Sequence, residues 1–532
     1  MKDGILRSES TNKAIIFSSI LSLLAKLFTF VQSMIISYAF GIQKSTDILF
    51  YAVSFVVLFT SLVCSINQQV IVPTAINIRE KVSEEDSKSF ISFIFFIYLL
   101  IGAAVTVLML FSSVKAFALF SRFDIDDIQE NINIIRFIIM NFTLILLNTY
   151  ILDVFTSFRY FTLPMMLDMV KNVVIILLVI LLKNSFSVLS LAIGIFAGNL
   201  IQFAILIVLM KVVLKCKFSL KTYKIDSLVK RNILFVVLGQ ITTFIYNFAV
   251  MYLISAFDTG TYTAMSYSRK ITDMVSTVII GQLSVVIGMN IIELYARKDF
   301  NRLNELFLKY LKLSLFLVLP LCFVLSFNSR EIISIVFERG KFSSDAVKLT
   351  AVFFKYFILI IPFLLVDSLI GRLIIAKQIQ KVSFLMQAFG SFMSVVLIWV
   401  MVKALGVYGY TIGLLISEAV YFFLNTNIMI KTQFKFINSF LIMKFFIFNY
   451  GLNLIITGFL FLTAEWFNAQ QIFLEDTILL LIFSTAYFSL YIIASYFSRQ
   501  NRDLLIKTSA CLKIAAINKF VFLKKAFVRL SG

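Results

Sequence analysis

Apolar runs recur along the whole chain, each about 20 residues long, enough to cross the roughly 30 Å hydrocarbon core of a bilayer as a helix. The pattern predicts fourteen hydrophobic helices, near 14–40, 47–72, 89–113, 133–156, 161–182, 187–213, 232–257, 261–290, 310–328, 348–376, 382–402, 407–430, 441–464 and 473–497. The first run is too long for a signal peptide and has no A-x-A cleavage site, so it reads as a span. The expected fold class is an all-α polytopic membrane protein. An even number of spans places both chain ends in one compartment.

Two short matches suggest an internal repeat. Ala39-Phe40-Gly41 leads into helix 2 and Ala256-Phe257-Asp258 into helix 8, at an offset of 217. Ile193-Gly194-Ile195-Phe196 in helix 6 resembles Ile412-Gly413-Leu414-Leu415 in helix 12, at an offset of 219. Six helices per copy keep both copies in the same orientation, a parallel duplication. The chain then parses as an N-lobe over 1–215 (helices 1–6) and a C-lobe over 216–430 (helices 7–12). A helix pair, 13 and 14, follows over 431–497, then a basic tail over 498–532.

Polar residues interrupt some spans at helical spacing. Helix 1 carries Ser18, Ser22, Lys26, Thr29 and Ser33 on one face, with Gln32 beside it. Helix 2 has Asp47, Tyr51, Ser54, Ser61, Ser65 and Gln68; helix 7 has Gln240, Thr243 and Asn247. Helix 8 has Tyr262, Ser266, Arg269, Lys270, Asp273 and Thr277. These are the same two helices of each copy, and their stripes would converge where the copies meet, the place transporters put their sites. For any single hydroxyl the simpler alternative is a bond to its own helix carbonyl. A charge at the bilayer centre costs at least about 2.5–3.5 kcal/mol, so Lys26 and Arg269 read as cavity-lining. Arg269 and Asp273 are four residues apart and could instead neutralise one another. Arg136, Asp153, Asp168, Lys171, Lys355, Asp367, Arg372 and Glu418 are also embedded; several lie near helix ends, where snorkelling explains them.

Composition narrows the chemistry. Of 532 residues, 60% are hydrophobic, 14% are charged and none is histidine, which removes imidazole acid/base catalysis and His-ligated zinc. The four cysteines (Cys64, Cys216, Cys322, Cys511) form no CxxC pair. No GxxxxGK[ST] loop is present, so no ATP-driven pump is encoded in this chain. The sequence calls for no metal and no cofactor. The net charge of +20 could suggest nucleic acid, but its distribution favours a membrane. With the N-terminus in the cytoplasm, 32 Lys and Arg fall in cytoplasmic segments and 9 on the other side. That is the positive-inside bias, and it places both termini in the cytoplasm. The stretch Lys507 to Arg529 alternates lysine with apolar residues and reads as a segment lying on anionic headgroups.

At this point three regions resemble the MurJ/MviN lipid-linked glycan flippases of the MOP exporter superfamily. They are Ala39-Phe40-Gly41-Ile42-Gln43-Lys44-Ser45-Thr46-Asp47, running on to Val72-Pro73; Phe337-Glu338-Arg339-Gly340-Lys341-Phe342, before a helix containing Pro362; and Tyr267-Ser268-Arg269. The resemblance implies alternating access between two lobes and a basic cavity lined by helices 1, 2, 7 and 8, with helices 13 and 14 offering a groove for a lipid tail. It implies that Lys26 stands for a family arginine, Asp47 for the family aspartate and Arg269 for the helix 8 arginine. Gln32 and Thr60 replace two further family arginines, and a Glu-Gly after the second is missing.

The expected function is a flippase for an undecaprenyl-pyrophosphate-linked oligosaccharide, lipid II or a surface-polysaccharide unit, in the bacterial cytoplasmic membrane. The candidate substrate-binding residues are Lys26, Gln32, Asp47, Arg269, Lys270 and Asp273, with no catalytic residue and no enzyme activity. Expected partners are the lipid-linked glycan, anionic headgroups and neighbouring glycan-synthesis enzymes, with the protein itself a monomer. Two alternatives stand beside this. A multidrug or ion-coupled exporter of the same superfamily would share the frame. A membrane glycosyltransferase or polymerase could use the Asp-x-Asp at Asp124–Asp126 to hold a divalent cation, although that loop also reads as a solvated amphipathic helix.

Overall fold

The computed structural model describes residues 11–160, 162–216, 227–377, 379–469, 476–498 and 501–506; the side chain of Ser18 and the basic stretch from Lys507 to Arg529 lie outside the described set. Every regular element among the described residues is helical. This is what lipid demands, since a helix satisfies its own backbone polar groups where water is absent.

The long helices are α1 (Thr11–Phe40), α2 (Lys44–Lys81), α3 (Glu84–Phe111), α4 (Ile132–Ser157), α5 (Leu163–Phe186), α6 (Leu189–Val212) and α7 (Ser227–Ile254). They continue with α8 (residues 261–296), α9 (Phe300–Phe327), α10 (Ser344–Lys377), α11 and α12 (380–405 and 407–433), α13 (Ser439–Ala469) and α14 (Asp476–Phe497). Short helices Ser113–Phe120 and Ile125–Glu130 link α3 to α4. Polar residues start the helices where the chain re-enters: Ser83 accepts from the Asp86 N–H at 3.0 Å ahead of α3, and Asp299 from the Arg302 N–H at 3.1 Å ahead of α9.

Among the described residues, twelve stretches are long and apolar enough to cross a membrane, against the fourteen expected. The difference lies in two places. Residues 382–433 pass as one stretch, although the helix breaks at Gly406, whose φ of 59° and ψ of −132° leave the helical region. Beyond it Gly409 lies so close to the Met401 carbonyl that a Cβ would sit 1.9 Å from it, a contact only a chain reversal produces. Residues 261–296 are not among the twelve; the first half of that helix carries Arg269, Lys270 and Asp273.

Chain contacts divide the molecule into two units. The first comprises Met1–Val278, Val336–Phe354 and Ile379–Glu418. In it α5 packs on α1 and α6, and α4 on α2, α3 and α6. Its apolar core joins Phe90, Ile94 and Tyr98 of α3 to Leu147, Tyr150 and Val154 of α4 and to Leu206 and Met210 of α6. The Tyr150 hydroxyl, fully buried, donates to the Ile91 carbonyl at 2.7 Å, so the core holds no loose polar end there.

The second unit comprises Ile279–Ile335, Lys355–Gln378 and Ala419–Gly532. Here α9 packs on α10, α13 and α14, and a ring cluster of Phe363, Phe422, Phe446 and Tyr450 fills the space among α10, α12 and α13. Polar bonds pin α14: Tyr491 donates to the Phe316 carbonyl of α9 at 3.0 Å and Tyr487 to Asn453 of α13 at 2.6 Å.

Candidate functional site

The site is framed by the start of two helices. α2 begins at Lys44 and α8 at Thr261, 217 residues apart, the offset read from Ala39 and Ala256. The first N–H groups of a helix have no partner within it, and its N-terminus carries partial positive charge. Asp47 of α2 meets both needs of α8. Its carboxylate accepts from the N–H of Gly260 at 2.5 Å, the N–H of Thr263 at 2.7 Å and the Thr263 hydroxyl at 2.6 Å. Only 2% exposed, Asp47 lies on the wall of none of the cavities described below. It positions α8 from beneath.

From that clasp α2 and α8 run past each other with equivalent residues touching. Thr46 and Thr263 share a hydroxyl–hydroxyl bond of 3.0 Å, and the rings of Phe50 and Tyr267 meet edge-on at 5.5 Å. The segment Phe337 to Phe342 closes over this frame: the Lys341 N–H donates to the Tyr38 carbonyl at 3.0 Å, and Phe337 and Phe342 pack on the Tyr267 ring. Gly340, at φ +63°, lies where a Cβ would come within 2.5 Å of the Tyr38 carbonyl oxygen. The earlier loop does the same on the other copy: the Arg122 N–H donates to the Ser255 hydroxyl at 3.0 Å, with its guanidinium over the Tyr252 ring.

Arg269 and Lys270 then diverge, as neighbours about 100° apart on a helix must. Arg269 lines a cavity of about 350 Å³ among α2, α7 and α8, whose polar wall includes Ser54, Ser61, Asn247 and Ser266. Its side chain is exposed on that wall, and its Nη2 donates to the Tyr410 hydroxyl at 2.9 Å. Many of the stripe hydroxyls do bond their own helix carbonyls, Ser61 to Leu58 and Ser266 to Tyr262 among them. Such a hydroxyl still offers lone pairs to a cavity.

Lys270 enters a second cavity, of about 530 Å³, bounded by α1, α2, α4, α5 and α6. Its ammonium sits 4.8 Å from the Phe50 ring centre. Gln32 is on this wall, as are Asn148, Asn199 and Gln202. Val53 and Val57 of α2 line both cavities, so one helix separates them. The polar side chains bond in series: Lys171 to Asp168 at 2.8 Å, Gln202 to Asp168 at 3.2 Å, and Asn148 to Gln202 at 3.3 Å.

Of the six residues expected from the sequence, Arg269 thus lines one cavity, Gln32 and Lys270 another, and Asp47 neither. Lys26 and Asp273 are exposed and line neither, but the charges of Lys26 and Arg269 both act on the Asp273 carboxylate. Sequence reasoning missed Tyr410, which no local pattern marks. It also missed Asn148, Asn199 and Gln202, which polar spacing in α4 and α6 would have found. The Asp-x-Asp segment forms the start of the short helix Ile125–Glu130, and the neighbouring Asp127 pairs with Lys44 at 3.0 Å. Among the described residues no group of three or more acidic or cysteine side chains is placed to hold a metal ion.

Comparison with known proteins points the same way. Residues 36–486 match the family model of the lipid II flippase MurJ. A probable lipid II flippase MurJ of Treponema pallidum (strain Nichols) is 25% identical over 104 residues, a segment spanning 20% of this chain and 20% of that protein. Among solved structures, a lipid II flippase MurJ in an inward closed conformation superposes with a TM-score of 0.75 at 20% identity, over 92% of this chain and all of the other. A multidrug resistance MATE family transporter of the MOP superfamily, inward-facing, gives a TM-score of 0.62 at 15% identity, over 78% of this chain and 99% of the other. At these identities the structural matches speak for the fold alone.

Proposed function

This chain belongs to the MurJ lipid II flippase family, and from that premise we propose that it moves an undecaprenyl-pyrophosphate-linked oligosaccharide, lipid II or a surface-polysaccharide repeat unit, across the bacterial cytoplasmic membrane by alternating access. The observation that carries this reading is Arg269, a permanent cation on the wall of a cavity that also presents hydroxyl and amide groups, inside a bundle of membrane-length helices. A guanidinium held there is a natural partner for the pyrophosphate, the charged part of a headgroup that cannot enter lipid unaided.

In this account Arg269, with Lys26 near it and Lys270 on the neighbouring wall, receives the pyrophosphate from the cytoplasmic leaflet while the prenyl chain stays in lipid. The lobes over 1–215 and 216–430 close on one face and open on the other, and α13 and α14 flank the tail. Both termini are cytoplasmic, as the bias of 32 against 9 cations supports. No bond is made or broken, so the protein acts without catalysis, driven by an ion gradient or the membrane potential. It works as a monomer, its basic tail on anionic headgroups, beside the enzymes that build the glycan. A cation on the cavity wall disfavours cationic drugs as cargo. Gln32 and Thr60, where the family resemblance leads one to expect arginines, support a headgroup other than that of lipid II.

The test is translocation in proteoliposomes, offering fluorescent undecaprenyl-pyrophosphate carriers with different glycans and a cationic dye in parallel. Movement of at least one carrier, and not of the dye, is the expected result. Dye export with no carrier movement would contradict the reading.

A further inference from the structure

One embedded carboxylate takes no part in the account above. Asp153 lies near the end of α4 and lines the 530 Å³ cavity. A carboxylate at such a place is costly to keep charged unless a cation or strong donors face it. Its hydrogen-bond partners are neutral amides. Asn67 Nδ2 donates to one oxygen at 3.2 Å and Gln68 Nε2 reaches the other at 3.5 Å. The cations of the neighbourhood are engaged otherwise. Lys171 is held by Asp168 at 2.8 Å, Lys270 sits over the Phe50 ring, and Arg79 bonds the Ser157 carbonyl and lies over the Phe158 ring.

The two amides belong to an unusual piece of helix. α2 widens to a π turn over Asn67–Ile71, and Asn67 and Gln68 are its first two residues. Such turns concentrate at functional positions because they interrupt the regular helical ladder. Asn67 is fully buried, and its own oxygen accepts from the Tyr98 hydroxyl of α3 at 2.8 Å. Cys64, one turn earlier on α2, accepts from Gln68 at 3.2 Å. Ionised, Asp153 accepts from both amides; protonated, it has one O–H donor and less acceptor capacity, and one amide loses its partner. The charge of Asp153 is therefore linked to the geometry of the π turn. α2 is also the helix whose Val53 and Val57 separate the two cavities.

We propose that Asp153 is a proton-binding site read by the π turn of α2, through which proton movement is coupled to the cavities that α2 lines. The coupling rests on the transport reading given above; the binding does not. A proton fits the site better than a sodium ion, because the atoms aimed at the carboxylate are N–H donors and a hard cation needs oxygen ligands.

The test uses the full chain in lipid nanodiscs and follows two signals across pH: the infrared band of protonated carboxyl groups, and hydrogen exchange of the peptide containing residues 67–71, corrected for intrinsic rates. The wild-type protein should show a titrating carboxyl band and a pH-dependent protection of that peptide. Asp153→Asn should lose both, and Asp153→Glu should keep the band. Gln68→Leu, at an exposed position, keeps the test open should Asp153→Asn fail to fold, and should alter the band's titration. Spectra unaltered by Asp153→Asn and by Gln68→Leu overturn the proposal, and so does a protection pattern that ignores both. A titration that moves when sodium replaces choline would make this a sodium site instead and equally overturn it. No glycan is involved, so failure here is separate from failure of the flippase reading.

Discussion

Thr46 and Thr263 stand 217 residues apart in the chain and 3.0 Å apart at their hydroxyls. Four residues further along each helix, Phe50 meets Tyr267 at the same separation in sequence. Equivalent residues of a duplicated element touch one another only beside the axis that relates the copies, so that axis passes between α2 and α8. The cation Arg269 is two residues beyond Tyr267, close to the axis.

The Asp47 clasp sets where α8 begins, and with it the height of Arg269. Asp47→Ala leaves two N–H groups at the start of α8 without a partner, in a place water does not reach. A loss of about 2–4 kcal/mol is expected. Thermal unfolding in detergent should show a clearly lowered midpoint, and an unchanged midpoint would mean the three bonds contribute little.

Gly340 carries the closing loop. Gly340→Val adds a side chain at φ +63° and drives it into the Tyr38 carbonyl. The strain, of order 1–3 kcal/mol, should loosen the segment 337–342 from α1. Hydrogen exchange of the peptide spanning that segment should rise at least several-fold, whereas exchange in α13 should stay as it is.

The hydroxyl of Tyr410 orients Arg269. Tyr410→Phe removes one hydrogen bond to a charged group, about 1.5–3 kcal/mol, while keeping the ring. Binding of a soluble prenyl-pyrophosphate analogue should weaken by roughly tenfold, and Arg269→Lys should cost more, because a point charge cannot give the forked contact. Binding insensitive to both changes would remove the pyrophosphate from this cavity.

Lys270 offers a separation of roles. Because it enters the second cavity, Lys270→Gln should leave binding of the short analogue within about threefold while slowing translocation of a full glycan carrier. A loss of analogue binding as large as that of Arg269→Lys would mean the two cavities act as one for the phosphates.

The helical class was legible in the sequence because it depends on local periodicity, and the offset of 217 because it shows in short matching segments. Even the change of offset, 217 at Ala39 and 219 at Ile193, has a physical source. The loop Phe120-Ser121-Arg122-Phe123 is matched by Phe337-Glu338-Arg339-Gly340-Lys341-Phe342, two residues longer, with the Lys341 N–H docking on Tyr38 as the Arg122 N–H docks on Ser255. The role of Asp47 was not legible. A carboxylate in a polar stripe faces a cavity or caps a neighbour depending on what meets it, and what meets Asp47 is more than 210 residues away. Arg269 and Lys270 read as one basic pair for a similar reason: adjacency in sequence hides the turn of the helix that sends them to different walls.

The most direct measurement is the rate at which Arg269→Ala moves a prenyl-pyrophosphate-linked glycan across proteoliposome membranes, beside the wild-type protein and with its unfolding midpoint measured in the same preparation. The account predicts a fall of at least tenfold with the midpoint little changed, corresponding to the loss of about 1.4 kcal/mol or more of contact to the headgroup. Wild-type rates from a folded Arg269→Ala protein would contradict it.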